Sequence, residues 1–375
     1  MVKGVYKAIA TLIGTIIGAG VLGLPYVISQ AGFNLGLILI LLIGIAVLFM
    51  NLFYGEVVLR TKTAHQLAGY AEKYLGKKAK VIAAISLIIG IYGALTAYLI
   101  GIGQSLSELL HLHPLLFSII AFLVLSFVVH RGIKTLGNSE LIFGSVMILI
   151  ILTIAFFSFF SSKFDIQNLS YINLKNIFLP YGVILFAFLG ATAIPEMREE
   201  IIRDKIDLKK SILIGSSIPI FIYAFFALSI IGVTGINTTQ ISTIGLGELL
   251  GYKMILLANL FAVFAMSTSF IALGFALKEM YMHDYRFHKD LSWTLTCFPP
   301  LIIVLLNVTN FIQVIGISGS FAGGIDGILI TLMLWKAKKK KERKPEYSLK
   351  FTKIIGTILI LIFMLGILYQ IKTLI

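Results

Sequence analysis

The stretch Thr11–Gly32, TLIGTIIGAGVLGLPYVISQAG, is apolar enough to cross a bilayer, yet it gathers Gly14, Gly18, Gly20, Gly23 and Pro25 within twelve positions. Glycine loosens a helix interior, and proline removes a donor and clashes with the preceding turn. A helix that only anchored the chain would not collect these residues at mid-membrane. The reading is a broken helix, one half ending near Ile17–Gly18 and the next starting near Ala19–Gly20. Freed backbone groups at membrane depth are tolerated only where protein or a polar cavity covers them. The stretch is therefore expected to line a small-molecule or ion site. The competing reading is close helix packing through small-xxx-small spacing, which Gly14 and Gly18 satisfy.

The rest of the chain is of the same kind. Only 13% of its 375 residues are charged and 58% are hydrophobic, against about 25% charged in soluble domains. This is the composition of an all-α integral membrane protein. A spanning helix needs about 20 apolar residues, and eleven segments qualify: 5–31, 33–59, 80–109, 113–130, 139–161, 176–195, 209–234, 252–281, 291–308, 310–335 and 352–372. The stretch 235–251 is too polar to span and is expected to form a short helix over the outer mouth. No cleavable signal peptide is expected, because the first apolar segment is about twice the length of a signal h-region. A lone Cys297 excludes an internal disulfide.

Orientation follows from Lys and Arg. With the N-terminus in the cytoplasm, 27 of the 31 basic residues fall on inner loops, and only Lys163, Lys175, Lys253 and Lys372 fall outside. The C-terminus is then extracellular and the location the plasma membrane. The net charge of +14 needs no nucleic acid, and no obligate protein partner is evident. The run Lys336–Lys344 reads as a topology anchor beside anionic lipid headgroups.

The sixth segment repeats the pattern of the first. In Tyr181–Glu200, YGVILFAFLGATAIPEMREE, Gly190 sits mid-span and Pro195 follows five residues later. The two segments run in opposite directions, with five helices between their starts. Interrupted segments at matching places in two opposed halves point to a secondary transporter with its site at the repeat interface. The division expected is 1–161 for the first five-helix repeat, 162–335 for the inverted second, and 336–375 for a basic cytoplasmic loop and an eleventh helix. At the breaks, the half-helix beginning near Ala19–Gly20 presents bare N–H groups and a positive dipole end, which suit a carboxylate. The halves ending near Ile16–Ile17 and Phe186–Phe188 present orphan carbonyls, which suit an ammonium or a small cation. Together these receptors describe an α-amino acid.

At these residues the chain resembles known families. GTIIGAGVLGLPYVISQAG (Gly14–Gly32) is similar to the first helix of the amino acid/auxin permease and aromatic amino acid permease families. FAFLGATAIPEMREE (Phe186–Glu200) resembles the sixth-helix signature of the same amino acid–polyamine–organocation group. The resemblance implies the LeuT-type 5+5 inverted-repeat fold and amino acid transport. It puts Gly18, Ala19 and Gly20 at the carboxylate and Phe186, Ala187, Phe188 and Gly190 near the amine and side chain. Sodium-coupled relatives add an Ala-x-x-Thr-Ser pattern on the eighth helix, matched here by Ala265, Thr268 and Ser269, with Gly14 and Ile17 as the first-helix carbonyl positions. Against this stands the reading that Thr268 and Ser269 merely bond carbonyls of their own helix. Some proton-coupled relatives carry a lysine on the fifth helix; Leu141–Ser161 has none.

Other residues invite a role. Asp326, in GSFAGGIDGILI, is a carboxylate at membrane depth, a candidate proton carrier or inner-gate residue. Its neighbours Gly316, Gly319, Ala322, Gly323 and Gly324 are expected to make one thin packing face. Glu56 and Glu140 are expected to pair with basic loop residues. Glu108, His111 and His113 form a solvated rim or a pH-sensing cluster. Tyr92, Tyr98 and Gln104 are candidate walls or gates, and of the two tyrosines at most one faces the site. No HExxH, CxxC or phosphate-binding glycine loop occurs, so neither a metal enzyme nor an ATP-driven pump is expected. The function expected is import of neutral amino acids, with room for aromatic side chains, by alternating access with Na⁺ and no cofactor. Proton coupling and a non-transporting amino acid sensor are the alternatives.

Overall fold

The structure, a computed structural model, describes residues 2–132, 136–201, 207–283 and 285–374. Its first half holds α1 (Val2–Ile16), α2 (Leu24–Ala31), α3 (Phe33–Arg60), α4 (Leu67–Leu75), α5 (Lys77–Leu110), α6 (Pro114–Arg131) and α7 (Leu136–Phe159). The second holds α8 (Leu179–Ala187), α9 (Ala193–Glu200), α10 (Asp207–Thr234), α11 (Ser242–Leu250), α12 (Tyr252–His283), α13 (Lys289–Leu306), α14 (Phe311–Ser318) and α15 (Gly324–Lys340). Helix α16 (Thr352–Leu374) closes the chain.

The two halves repeat each other element by element. A broken helix is followed by one of 28 residues (α3, α10), one of 9 (α4, α11), a long one of 34 or 32 (α5, α12) and one of 18 (α6, α13). The hinge between short and long helix is the same in both. Gly76 and Gly251 stand at φ 96° and 92°, each donating to the carbonyl four residues back at 2.9 Å. Only glycine takes that conformation without strain. Corresponding helices pack antiparallel. Asn51 bonds Ser216 while Gly55 meets Ile212, and Gly101 meets Met266 while Tyr92 bonds Tyr281. The expected inverted repeat with broken first and sixth helices is thus the fold observed.

Eight helices among the described residues are long and apolar enough to span, and α1 with 19–31 makes a ninth, bent by 44° at its break. Among the described residues α7 adds an apolar stretch over Gly144–Phe159, and α8 and α9 form the second broken segment, with α9 short and carrying Glu196, Arg198 and Glu199. Helix α10 is the most enclosed span, with 72% of its apolar window buried, and α16 the least, with 22%. On α16, Ile354, Leu361, Leu365 and Leu368 face outward, where hydrocarbon rather than protein completes their surroundings.

The end bearing the basic residues is tied down by ion pairs. Glu56, with no exposed surface, accepts from Arg60 Nε at 2.9 Å, Ser348 Oγ at 3.0 Å and the Leu349 amide at 2.8 Å, with Lys338 Nζ 3.4 Å away. Tyr347 donates to Leu52 O at 2.7 Å, and Lys73 meets Glu342 at 2.8 Å. That lysine holds the Glu342 carboxyl below the usual carboxylate range. Arg198 of α9 donates to Thr61 O at 3.0 Å. The pairing expected for Glu56 is therefore present. The side chain of Glu140, and Lys134, Arg203 and Lys205, lie outside the described residues. The basic run is not all loop, because α15 continues to Lys340.

The glycine-rich stretch departs from expectation. A π turn over Gly319–Gly323 rotates successive residues onto different neighbours. Gly319 lies against Gly182 O and the Phe186 amide, and Gly323 against Leu185 and Leu189. Gly324 lies against Ile367 and Phe363 of α16, and Ala322 faces Gly90 of α5. These are three packing faces, not one.

Candidate functional site: two helix breaks and the tyrosine between them

The first break begins where α1 stops. Ile17 N–H still reaches Ile13 O at 2.7 Å, but Gly18 N–H turns to Ile16 O at 3.0 Å instead of Gly14 O. The carbonyls of Gly14, Thr15 and Ile17 thereby lose their helical donors. A 3₁₀ turn, Ala19–Gly23, leads into α2, and among the described residues no acceptor meets the Ala19 or Gly20 amide. In the second break, Phe188 N–H is shared between Ile184 O and Leu185 O at 3.1 and 3.2 Å, and Leu189 N–H reaches Phe186 O. No backbone acceptor among the described residues meets the amides of Gly190, Ala191 and Thr192 before α9 begins.

The two breaks touch. A Cβ on Gly20 would stand 2.9 Å from Ala187 Cα and 3.1 Å from Phe186 Cδ1. A Cβ on Gly190 would meet Ile16 Cγ1 at 2.5 Å, so this glycine packs against α1. Phe188 is buried with its ring 5.0 Å from that of Tyr223. Tyr223, on α10 and fully buried, directs its hydroxyl to Ile16 O at 2.8 Å and Ala187 O at 2.9 Å. These are the terminal residues of α1 and α8. The carbonyls that end α1 and α8 do converge, on a phenol, although Ile16 O also accepts from the Gly18 amide.

Opposite the first break lies α12. Ser269 Oγ would be 3.5 Å from a Cβ on Gly18, and the Tyr98 side chain of α5 lies near that serine. Thr268 Oγ1 lies 3.1 Å from both Phe264 O and Ala265 O, carbonyls of its own helix. Ala265 is fully buried. Gly14 faces α7, where a Cβ on Gly144 would come within 3.3 Å of Gly14 Cα. Small-residue packing and a broken helix thus coexist, on different faces of the segment.

The remaining candidates fall elsewhere. Asp326 Oδ1 accepts from Ser86 Oγ at 2.9 Å, a partner on α5 that periodicity did not indicate. Tyr92 bonds Tyr281 and Leu295 O, away from the breaks, leaving Tyr98 as the tyrosine that faces Ser269. His113 caps α6 by accepting from the Leu115 amide at 3.2 Å. Gln104 is half-buried. Sequence reasoning passed over Tyr223 and Ser86. One signal was available for the tyrosine: in ILIGSSIPIFIYAFFALSII it is the phenol of an otherwise apolar span, and a buried phenol needs a partner.

Residues 1–372 match the tryptophan/tyrosine permease family. Over 359 residues the chain is 28% identical to the tyrosine-specific transport system 1 of Haemophilus influenzae, covering 88% of each chain. It is 25% identical to the glutamine transporter 2 of Aliivibrio fischeri, covering 90% of each. It is 24% identical to the tryptophan-specific transport protein of Shigella flexneri, covering 89% of this chain and 86% of that one. The solved structure of MhsT in complex with L-phenylalanine superposes with a TM-score of 0.68 over 97% of both chains, at 15% identity.

Proposed function

Because the chain belongs to the tryptophan/tyrosine permease family, whose members are membrane transporters of the LeuT-type fold and not enzymes, we propose that it imports a neutral, aromatic amino acid by alternating access, coupled to Na⁺. The observation that carries this reading is the pair of touching breaks, with free amides at Ala19 and Gly20 and carbonyls freed at Gly14, Thr15 and Ile17. The amides suit the substrate carboxylate, with Gly18 beside them. Ile16, Phe186, Ala187, Phe188 and Gly190 surround the amine and side chain. No charged side chain stands in either break, which fits a net-neutral substrate. The relatives named for tyrosine, tryptophan and glutamine also carry neutral amino acids.

For the ion, the donors are the carbonyls of Gly14, Ile17 and Ala265 and the hydroxyls of Thr268 and Ser269. All are hard oxygens of the kind Na⁺ takes. Thr268 donates its proton within its own helix, so its lone pairs remain available to a cation. A bundle of α1–α3 and α8–α10, drawn from both repeats, rocks against α5, α6, α12 and α13, with α11 following as a lid. The basic end faces the cytoplasm and lipid headgroups, placing the N-terminus inside.

Uptake of labelled tyrosine, tryptophan and glutamine into proteoliposomes, with Na⁺ and pH gradients imposed separately, tests the reading. An inward Na⁺ gradient is expected to drive accumulation. Thr268→Ala is expected to weaken its Na⁺ dependence about tenfold or more while leaving counterflow in place. Accumulation driven by pH alone would favour the second reading, proton coupling, for which the Asp326–Ser86 pair is the candidate carrier. Binding without flux would make the protein a sensor.

A further inference from the structure

A phenol has one proton, and the Tyr223 hydroxyl faces two carbonyls at hydrogen-bonding distance. Ile16 O also accepts from the Gly18 amide at 3.0 Å, so the phenol proton, when given to Ala187 O, leaves neither carbonyl without a donor. Both carbonyls close helices, α1 of 15 residues and α8 of 9. Each helix end carries roughly half a negative charge. The point where they meet is thus a position for positive charge, lined by hard oxygens, yet what stands there is neutral. Its placement is rigid. The Tyr223 ring has no exposed surface, and the buried Phe188 ring lies against it 5.0 Å away.

We propose that the Tyr223 hydroxyl is the built-in occupant of a monovalent-cation position between the two helix ends. It ties α1 to α8 without an ion and bars Na⁺ from that position, and its removal opens a Na⁺- or Li⁺-sized site there. Ion coupling, where it operates, is confined to the α12 side. Tyr223 is on this account a positioning residue: it acts through the breaks that it joins. The inference goes beyond the transport reading and stands without it.

The test uses the purified full chain without amino acid, melted in choline, Li⁺ or Na⁺ chloride at constant ionic strength. Tyr223→Phe keeps the ring and removes the hydroxyl. It is expected to melt several degrees lower in choline and to regain roughly 2–4 °C in 100 mM Na⁺ or Li⁺, as binding to the native state raises stability. The regain is expected to persist in the double variant Tyr223→Phe/Thr268→Ala, whose α12 site is disabled, and to be absent from Thr268→Ala alone. Phe188→Leu, which loosens the ring without touching the hydroxyl, is expected to melt lower equally in all three salts. Recovery of Tyr223→Phe only from Na⁺ or Li⁺ buffers would support the proposal. It is overturned if Tyr223→Phe melts like the parent, if its loss is the same in every salt, if it is recovered from none, or if Thr268→Ala alone shows the regain. Uptake is measured separately, so a negative melt leaves transport standing, and failed uptake leaves the melt readable.

Discussion

Glu56→Ala is expected to destabilise the protein by about 3–5 kcal/mol, the usual consequence of removing one partner from a buried ion pair. The carboxylate has no exposed surface and is the common acceptor for Arg60, Ser348 and the Leu349 amide, with Lys338 at 3.4 Å. Its loss leaves Arg60 without its carboxylate and the Leu349 amide without its acceptor, and it loosens the 341–351 connection, which Tyr347 still ties to Leu52 O of α3. Two effects compete in the comparison with Glu56→Gln. The amide keeps the shape and one oxygen, but it brings an N–H pair toward donors that need an acceptor. Glutamine is therefore expected to recover less than half of the loss. Denaturant or thermal unfolding in detergent measures both. Glu56→Ala melting within a degree of the parent would show that lipid headgroups and loop residues replace the pair.

Gly20→Ala and Gly18→Ala are expected to separate stability from transport. At Gly20 the new methyl would stand 2.9 Å from Ala187 Cα, a backbone atom that no rotamer change can move. The two breaks must part, at about 1–3 kcal/mol for overpacking, and uptake is expected to fall about tenfold or more with the melting temperature. Gly18 is different. Its backbone is extended at φ −129°, open to any residue, and its Cβ would rest 3.5 Å from Ser269 Oγ in ordinary contact. Gly18→Ala is therefore expected to melt like the parent, yet to lose uptake, because the methyl enters the space the substrate is proposed to use. Paired melting and proteoliposome uptake read both effects. A Gly18→Ala protein that transports at the parent rate would remove this glycine from the substrate face.

Much of the architecture was legible because its determinants are local. Glycine and proline weaken a helix wherever they stand, so both breaks were readable to within a residue or two. The end of α1 at Ile16 and of α8 at Ala187 show it. The basic loops were readable because charge avoids the bilayer interior. The glycines of 316–324 were misjudged because the direction of each residue depends on a π turn and on which of α5, α8 and α16 it meets. Among the described residues eight helices and one bent pair are long and apolar enough to span, and the count of eleven rests on the sequence alone.

By itself the sequence determined that the chain is a membrane protein of two antiparallel repeats, where each repeat breaks, and which backbone atoms the breaks set free. Those are consequences of contiguous residues acting on their own turn of helix. Only the tertiary structure decided what meets the freed atoms: Tyr223, 207 positions from Ile16, Ser269 beside Gly18, and Ser86, 240 positions from Asp326. A hydrogen bond acts over about 3 Å. Which side chain arrives within that distance is set by how distant helices pack, and no stretch of sequence carries that information alone.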